Sequence, residues 1–139
     1  MDVLIASGQP NLRFGLEVFL RQQSGLVIVG TVSNADGLLA MIHAAQPNLV
    51  IMDWELPDRL PVEVLSEAKT AEHTPHFIIL GKDLNTSPAA MDAGADEFLL
   101  QGDYPANLLA AIRRVGSSKP AVDQDAADED AVDQNTEEE

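Results

Sequence analysis

Five short apolar runs at residues 3–6, 26–29, 49–52, 77–80 and 98–100 constrain this chain more than any other feature. Each is continuous rather than alternating, the pattern of parallel strands covered on both faces. The segments between them carry helical spacing. Leu12, Leu16, Phe19 and Leu20 share one face behind Asn11, the expected cap, and Leu38, Leu39 and Ile42 share another behind Asn34 or Asp36. Val62, Leu65 and Ala68 follow Pro61, and Leu108, Leu109, Ile112 and Val115 follow Pro105, with proline suited to a first helical position. Between Leu80 and Gly94 the helical signal is weak: Pro88 opens about a turn and a half before Gly94 stops it. Strands alternating with helices predict right-handed crossovers and a three-layer, doubly wound α/β fold. The expected order is 2-1-3-4-5, flavodoxin-like, with a site at the carboxyl ends of strands 1 and 3.

The 139 residues suffice for one domain of ordinary size, expected over 1–116. Residues 117–139 read as a linker and an acidic tail, expected to be disordered, because 121–139 hold nine acids, no base and almost no large apolar group. Residues 121–139 account for −9 of the formal charge of −15, leaving −6 for residues 1–120. Neither part supplies the basic stripe that a direct nucleic-acid interface needs. No apolar run reaches the ~18 residues of a membrane span. The start, Met1-Asp2-Val3, lacks a basic leader region, so a cytoplasmic location is expected. There is no cysteine, hence no disulfide or thiolate chemistry.

The strands' carboxyl ends read Ser7-Gly8, Asp53, Gly81-Lys82 and Gln101-Gly102. Here the chain resembles a known family, the receiver domains of bacterial response regulators, particularly those that precede a helix-turn-helix output domain. Ile5-Ala6-Ser7-Gly8-Gln9-Pro10 is similar to that family's Ile-Ala-Asp-Asp-His-Pro. Ile51-Met52-Asp53-Trp54-Glu55-Leu56-Pro57 resembles its phosphoacceptor strand and loop, and Ala93-Gly94-Ala95-Asp96-Glu97-Phe98-Leu99-Leu100 its Ala-Gly-Ala-x-Gly-Tyr-Leu-Leu-Lys segment. The likeness runs from about residue 2 to 115, with the stretch before Gly94 about two residues short.

The resemblance implies phosphoryl transfer to an aspartate. Two acids after strand 1 and the acceptor hold Mg²⁺, a lysine after strand 5 adds positive charge, and a hydroxyl after strand 4 binds the phosphoryl product. Asp53 stands at the acceptor position. Ser7 and Gly8 replace the metal carboxylates, Gly81 the hydroxyl and Gln101 the lysine, while Phe98 matches the switch aromatic without its hydroxyl. These departures imply a degenerate pocket with no cofactor, Mg²⁺ binding lost, and no enzymatic role. Signalling would pass through a protein partner or a second copy of the chain, with no direct nucleic-acid or membrane contact. The faces implied are residues 89–100 with 105–114. Lys82 is expected to approach Asp53 as a substitute cation. The alternative is a phosphorelay receiver that still uses Asp53, with Asp83 or Glu55 as improvised ligands.

Overall fold

The computed structural model describes residues 1–103 and 105–117; the expected tail and most of the linker lie outside the described residues. The strands are β1 (Asp2–Ala6), β2 (Val27–Val32), β3 (Leu49–Asp53), β4 (His76–Gly81) and β5 (Glu97–Leu100). The helices are α1 (Pro10–Arg21), α2 (Ala35–Ala45), α3 (Pro61–Ala68), α4 (Ser87–Ala93) and α5 (Ala106–Ser117). All pairings are parallel and the sheet runs β2-β1-β3-β4-β5, as the alternating pattern predicts.

Period-2 side-chain direction divides the core between the two faces of the sheet. Leu4, Ala6, Val50, Met52, Phe77 and Ile79 pack with α2, α3 and α4 residues such as Leu38, Leu65 and Ala90. Val3, Ile5, Leu49, Ile51, Ile78 and Leu80 pack with Leu16 and Leu20 of α1 and with Leu108, Ile112 and Val115 of α5. The central strands have no solvated face, hence their uninterrupted apolar runs.

One helix start differs in detail from expectation, and another settles between two candidates. The N-cap of α1 is Gln9, not Asn11, because Pro10 takes the first turn, where its missing N–H has no intrahelical partner to lose. For α2 the cap is Asn34, whose Oδ1 accepts from the Gly37 amide at 2.7 Å. The weak segment becomes a 3₁₀ turn, Leu84–Thr86, leading into the seven-residue α4. Gly94 ends α4 at φ 115°, a left-handed position that side chains resist.

The loop after β3 is fastened at both ends. The Trp54 amide donates to Leu80 O at 2.8 Å. Asp58 reaches across to the first turn of α2, accepting from the Ala35 amide at 2.7 Å and the Asp36 amide at 3.1 Å. The Ala35 amide, foremost, holds the Asp58 carboxyl below its ordinary pKa, against a partial desolvation in the other direction. A carboxylate depressed in the folded state adds stability above its unfolded pKa and loses it as pH falls through the folded value. Asp58→Asn is therefore expected to lower the melting temperature at neutral pH. Its deficit against the parent should shrink on acidification below about pH 4, the ordinary aspartate range. A deficit that stays constant with pH in thermal unfolding would contradict this.

Candidate functional site

The pairing register carries the candidate residues to one edge of the sheet. Ala6 lies opposite Met52, so Ser7 and Asp53 follow at the same level. Asp53 in turn lies opposite Leu80, and Gly81 opposite Leu100. Gly81-Lys82 and Gln101 thus leave the sheet beside Asp53.

Asp53 is 2% exposed and Ser7 fully buried, the two buried polar or charged residues among those described. A buried carboxylate requires donors, and this one has four. Ser7 Oγ donates to Oδ2 at 3.2 Å and Gln9 Nε2 donates to the same oxygen at 2.7 Å. Gln101 Nε2 donates to Oδ1 at 3.1 Å, and the Glu55 amide donates there at 3.3 Å. The Gln9 backbone N–H in turn donates to Ser7 Oγ at 3.1 Å. Arg13 contributes indirectly: its Nη1 donates to Ser7 O at 2.7 Å, steadying the β1–α1 loop.

A recess of about 40 Å³ beside Asp53 is lined by Trp54, Glu55, Gly81, Lys82, Asp83 and Thr86. That volume has room for a few water molecules. Asp83 Oδ1 accepts the Asn85 amide at 2.9 Å, and Thr86 Oγ1 donates to Asp83 O, so both help shape the 3₁₀ turn.

Gly81 and Phe98 interlock. Ile79 and Phe98 are register partners, which makes Gly81 the diagonal neighbour of Phe98 on the same face. A Cβ at position 81 would stand 2.6 Å from Phe98 Cζ and 2.7 Å from Cε1. The ring thus occupies the space that a side chain at 81 would need.

Ser7, Gln101, Gly81 and Phe98 therefore meet around Asp53 or its immediate wall. Gly8 adds no contact to the carboxylate, and a Cβ there would come 3.2 Å from Pro57 Cδ. Lys82 departs from expectation: it lines the recess but is exposed, and no ion pair links it to Asp53. Four donors already serve the carboxylate, and the ammonium keeps its hydration. Gln9 is the contact that sequence reading passed over. Its signal was its place two residues after Ser7 and immediately before Pro10, where a long donor side chain can turn back toward β3. Among the described residues, no group of three or more His, Asp or Glu side chains is arranged to hold a metal ion.

Comparison with known proteins agrees with this architecture. The family model described as the response regulator receiver domain matches residues 3–113. The Pseudomonas putida transcriptional activator protein ExaE is 29% identical over 131 residues, covering 91% of this chain and 60% of that protein. The Escherichia coli K12 transcriptional regulatory protein BtsR is 28% identical over 123 residues, covering 88% and 51%. The chain thus spans about half to three-fifths of the length of these relatives. In structure, the response regulator domain of Thermotoga maritima CheB superposes with a TM-score of 0.79 at 18% identity, covering 86% of this chain and 98% of that one. A LuxR-family DNA-binding response regulator from Staphylococcus aureus gives 0.76 at 23% identity, covering 84% and 98%. The fold, the match across nearly all the described residues and Asp53 at the carboxyl end of β3 agree: the chain belongs to the response regulator receiver domain family.

Proposed function

We propose that this receiver domain acts in two-component signal transduction through a protein–protein contact that does not depend on phosphorylation of Asp53, and that it has no enzymatic activity of its own. The observation that carries the reading is the neutral donor set on that carboxylate. Two primary amides, a hydroxyl and a backbone amide direct hydrogens at its two oxygens, at 2.7–3.3 Å. Mg²⁺ needs oxygen ligands in near-octahedral array and is bound through carboxylates. Here the Asp53 lone pairs face N–H and O–H groups, and Ser7 and Gly8 offer no second carboxylate. This set does not fit the ion. A phosphoryl group on Asp53 would likewise meet no lysine at 101 and no hydroxyl at 81.

The partner is a protein or a second copy of the chain. Leu84 and Met91, both exposed, offer apolar surface around α4. Direct nucleic-acid contact is disfavoured by the acidic balance, and among the described residues no helix is long and apolar enough to cross a membrane.

Asp53 itself favours a second reading, a phosphoacceptor receiver, because it stands at the acceptor position beside an open recess. Mass spectrometry separates the two. After incubation of the full chain with acetyl phosphate and Mg²⁺, the mass is expected to stay unchanged. A stoichiometric phosphoryl gain that Asp53→Asn abolishes would select the second reading.

A further inference from the structure

We infer that Gln9 is the positioning residue of this site: with Gln101 it clamps the Asp53 carboxylate between the β1–α1 and β5–α5 loops, two neutral amides taking the place of a cation. The inference rests on the reading above and goes beyond it, since a receiver could dispense with phosphorylation without holding its aspartate at all.

The geometry is specific to these two side chains. Gln9 Nε2 reaches Oδ2 at 2.7 Å, the shortest of the four bonds to the carboxylate, while Gln101 Nε2 reaches Oδ1 at 3.1 Å. Gln9 lies 44 residues from Asp53 in sequence and Gln101 lies 48 from it on the other side. A single buried carboxylate therefore ties together three segments that lie far apart in sequence. Each amide presents donor hydrogens without a net charge. Hydrogen bonds to an ionised acceptor are roughly twice as strong as neutral ones, so the clamp can satisfy the buried charge without importing a counter-ion.

Gln9 can be tested apart from its helix. It is the N-cap of α1, but its side chain makes no capping bond. The capping contribution comes from its backbone, whose carbonyl accepts the Arg13 amide at 2.9 Å. Replacing the side chain removes the clamp and leaves that bond in place.

Gln9→Ala, Gln9→Glu and Gln9→Lys, with the exposed Gln22→Ala as control, separate a donor from a space-filler in the full chain. Glutamate has the shape of glutamine but presents an oxygen to Oδ2; lysine differs in shape but keeps a donor. A clamp predicts that Gln9→Ala lowers the melting temperature by several degrees, on the order of 5 °C for a domain of this size. Gln9→Glu should fall below Gln9→Ala, and Gln9→Lys should stay above it. The Gln101 side-chain amide resonances should shift in Gln9→Ala and hold still in Gln22→Ala. If Gln9→Glu is as stable as the parent, or Gln9→Ala matches the control and leaves the Gln101 amide unmoved, the clamp is wrong. Phosphodonor incubation of the unsubstituted chain tests the other reading separately. A phosphoryl gain there with the predicted order of variants would leave the clamp standing and remove phosphorylation independence.

Discussion

Gly81→Ala is expected to drive the Phe98 ring out of its present place. The new Cβ would stand 2.6 Å from Phe98 Cζ, 2.7 Å from Cε1 and 3.3 Å from Thr86 Oγ1. Carbon atoms in contact sit at ~3.5–4.0 Å, so the ring must rotate away or β4 and β5 must part. Either outcome costs about 1–3 kcal/mol, the usual range for inserting a methyl group into packed structure. Phe98→Ala opens the space and should make the added methyl nearly harmless. A double-mutant cycle by denaturant unfolding should then return a coupling of about 1–3 kcal/mol. A Gly81→Ala protein as stable as its parent, with an unshifted Phe98 ring spectrum, would show that the ring is not wedged. A side chain at 81 and the ring in its present position exclude each other.

A larger loss is expected from Ser7→Asp. Ser7 is fully buried and its Oγ lies 3.2 Å from Asp53 Oδ2. A second carboxylate there would replace a donor by a like charge, in surroundings whose remaining donors are neutral. Burying an uncompensated charge destabilises by about 3–5 kcal/mol, so the variant should unfold at much lower denaturant when a chelator is present. A divalent cation is the natural remedy. Mg²⁺ bound between the two carboxylates would add stability as its concentration exceeds its dissociation constant, ~2.7 kcal/mol at a hundredfold excess. The unsubstituted chain should show no such Mg²⁺ dependence. A Ser7→Asp protein that keeps parental stability in chelator would mean the site tolerates two acids unaided, against the proposed role of the neutral donors.

The fold was legible because its strands are covered on both sides. Runs such as Leu-Val-Ile-Met at 49–52 have no other economical burial, and their alternation with amphipathic segments leaves few connections to consider. The same logic placed Ser7, Asp53, Gly81 and Gln101 at one edge, since each follows the last apolar residue of a strand. The inward course of the Gln9 side chain was not legible. It depends on where α1 starts, and Pro10, whose fixed φ suits a first turn, marks that start better than the polar Asn11. The exposure of Lys82 has an electrostatic reason. An approach to Asp53 supposes an unmet charge, whereas four neutral donors already serve that carboxylate. The Gly81–Phe98 fit is a matter of shape between strands and leaves no mark in local pattern.

The fastening of the β3–α3 loop has an entropic consequence. Trp54 is tied to β4 through Leu80 O, and Asp58 is tied to the start of α2. Opening the loop would strip partners from two amides of a helix and a carbonyl of a strand at once, so it belongs to a larger cooperative unit instead of fraying by itself. A partner that reads this edge would find its backbone already ordered. Little chain freedom remains to be surrendered on contact, and the affinity of a preset edge is reduced less by ordering than that of a loop which must first be frozen.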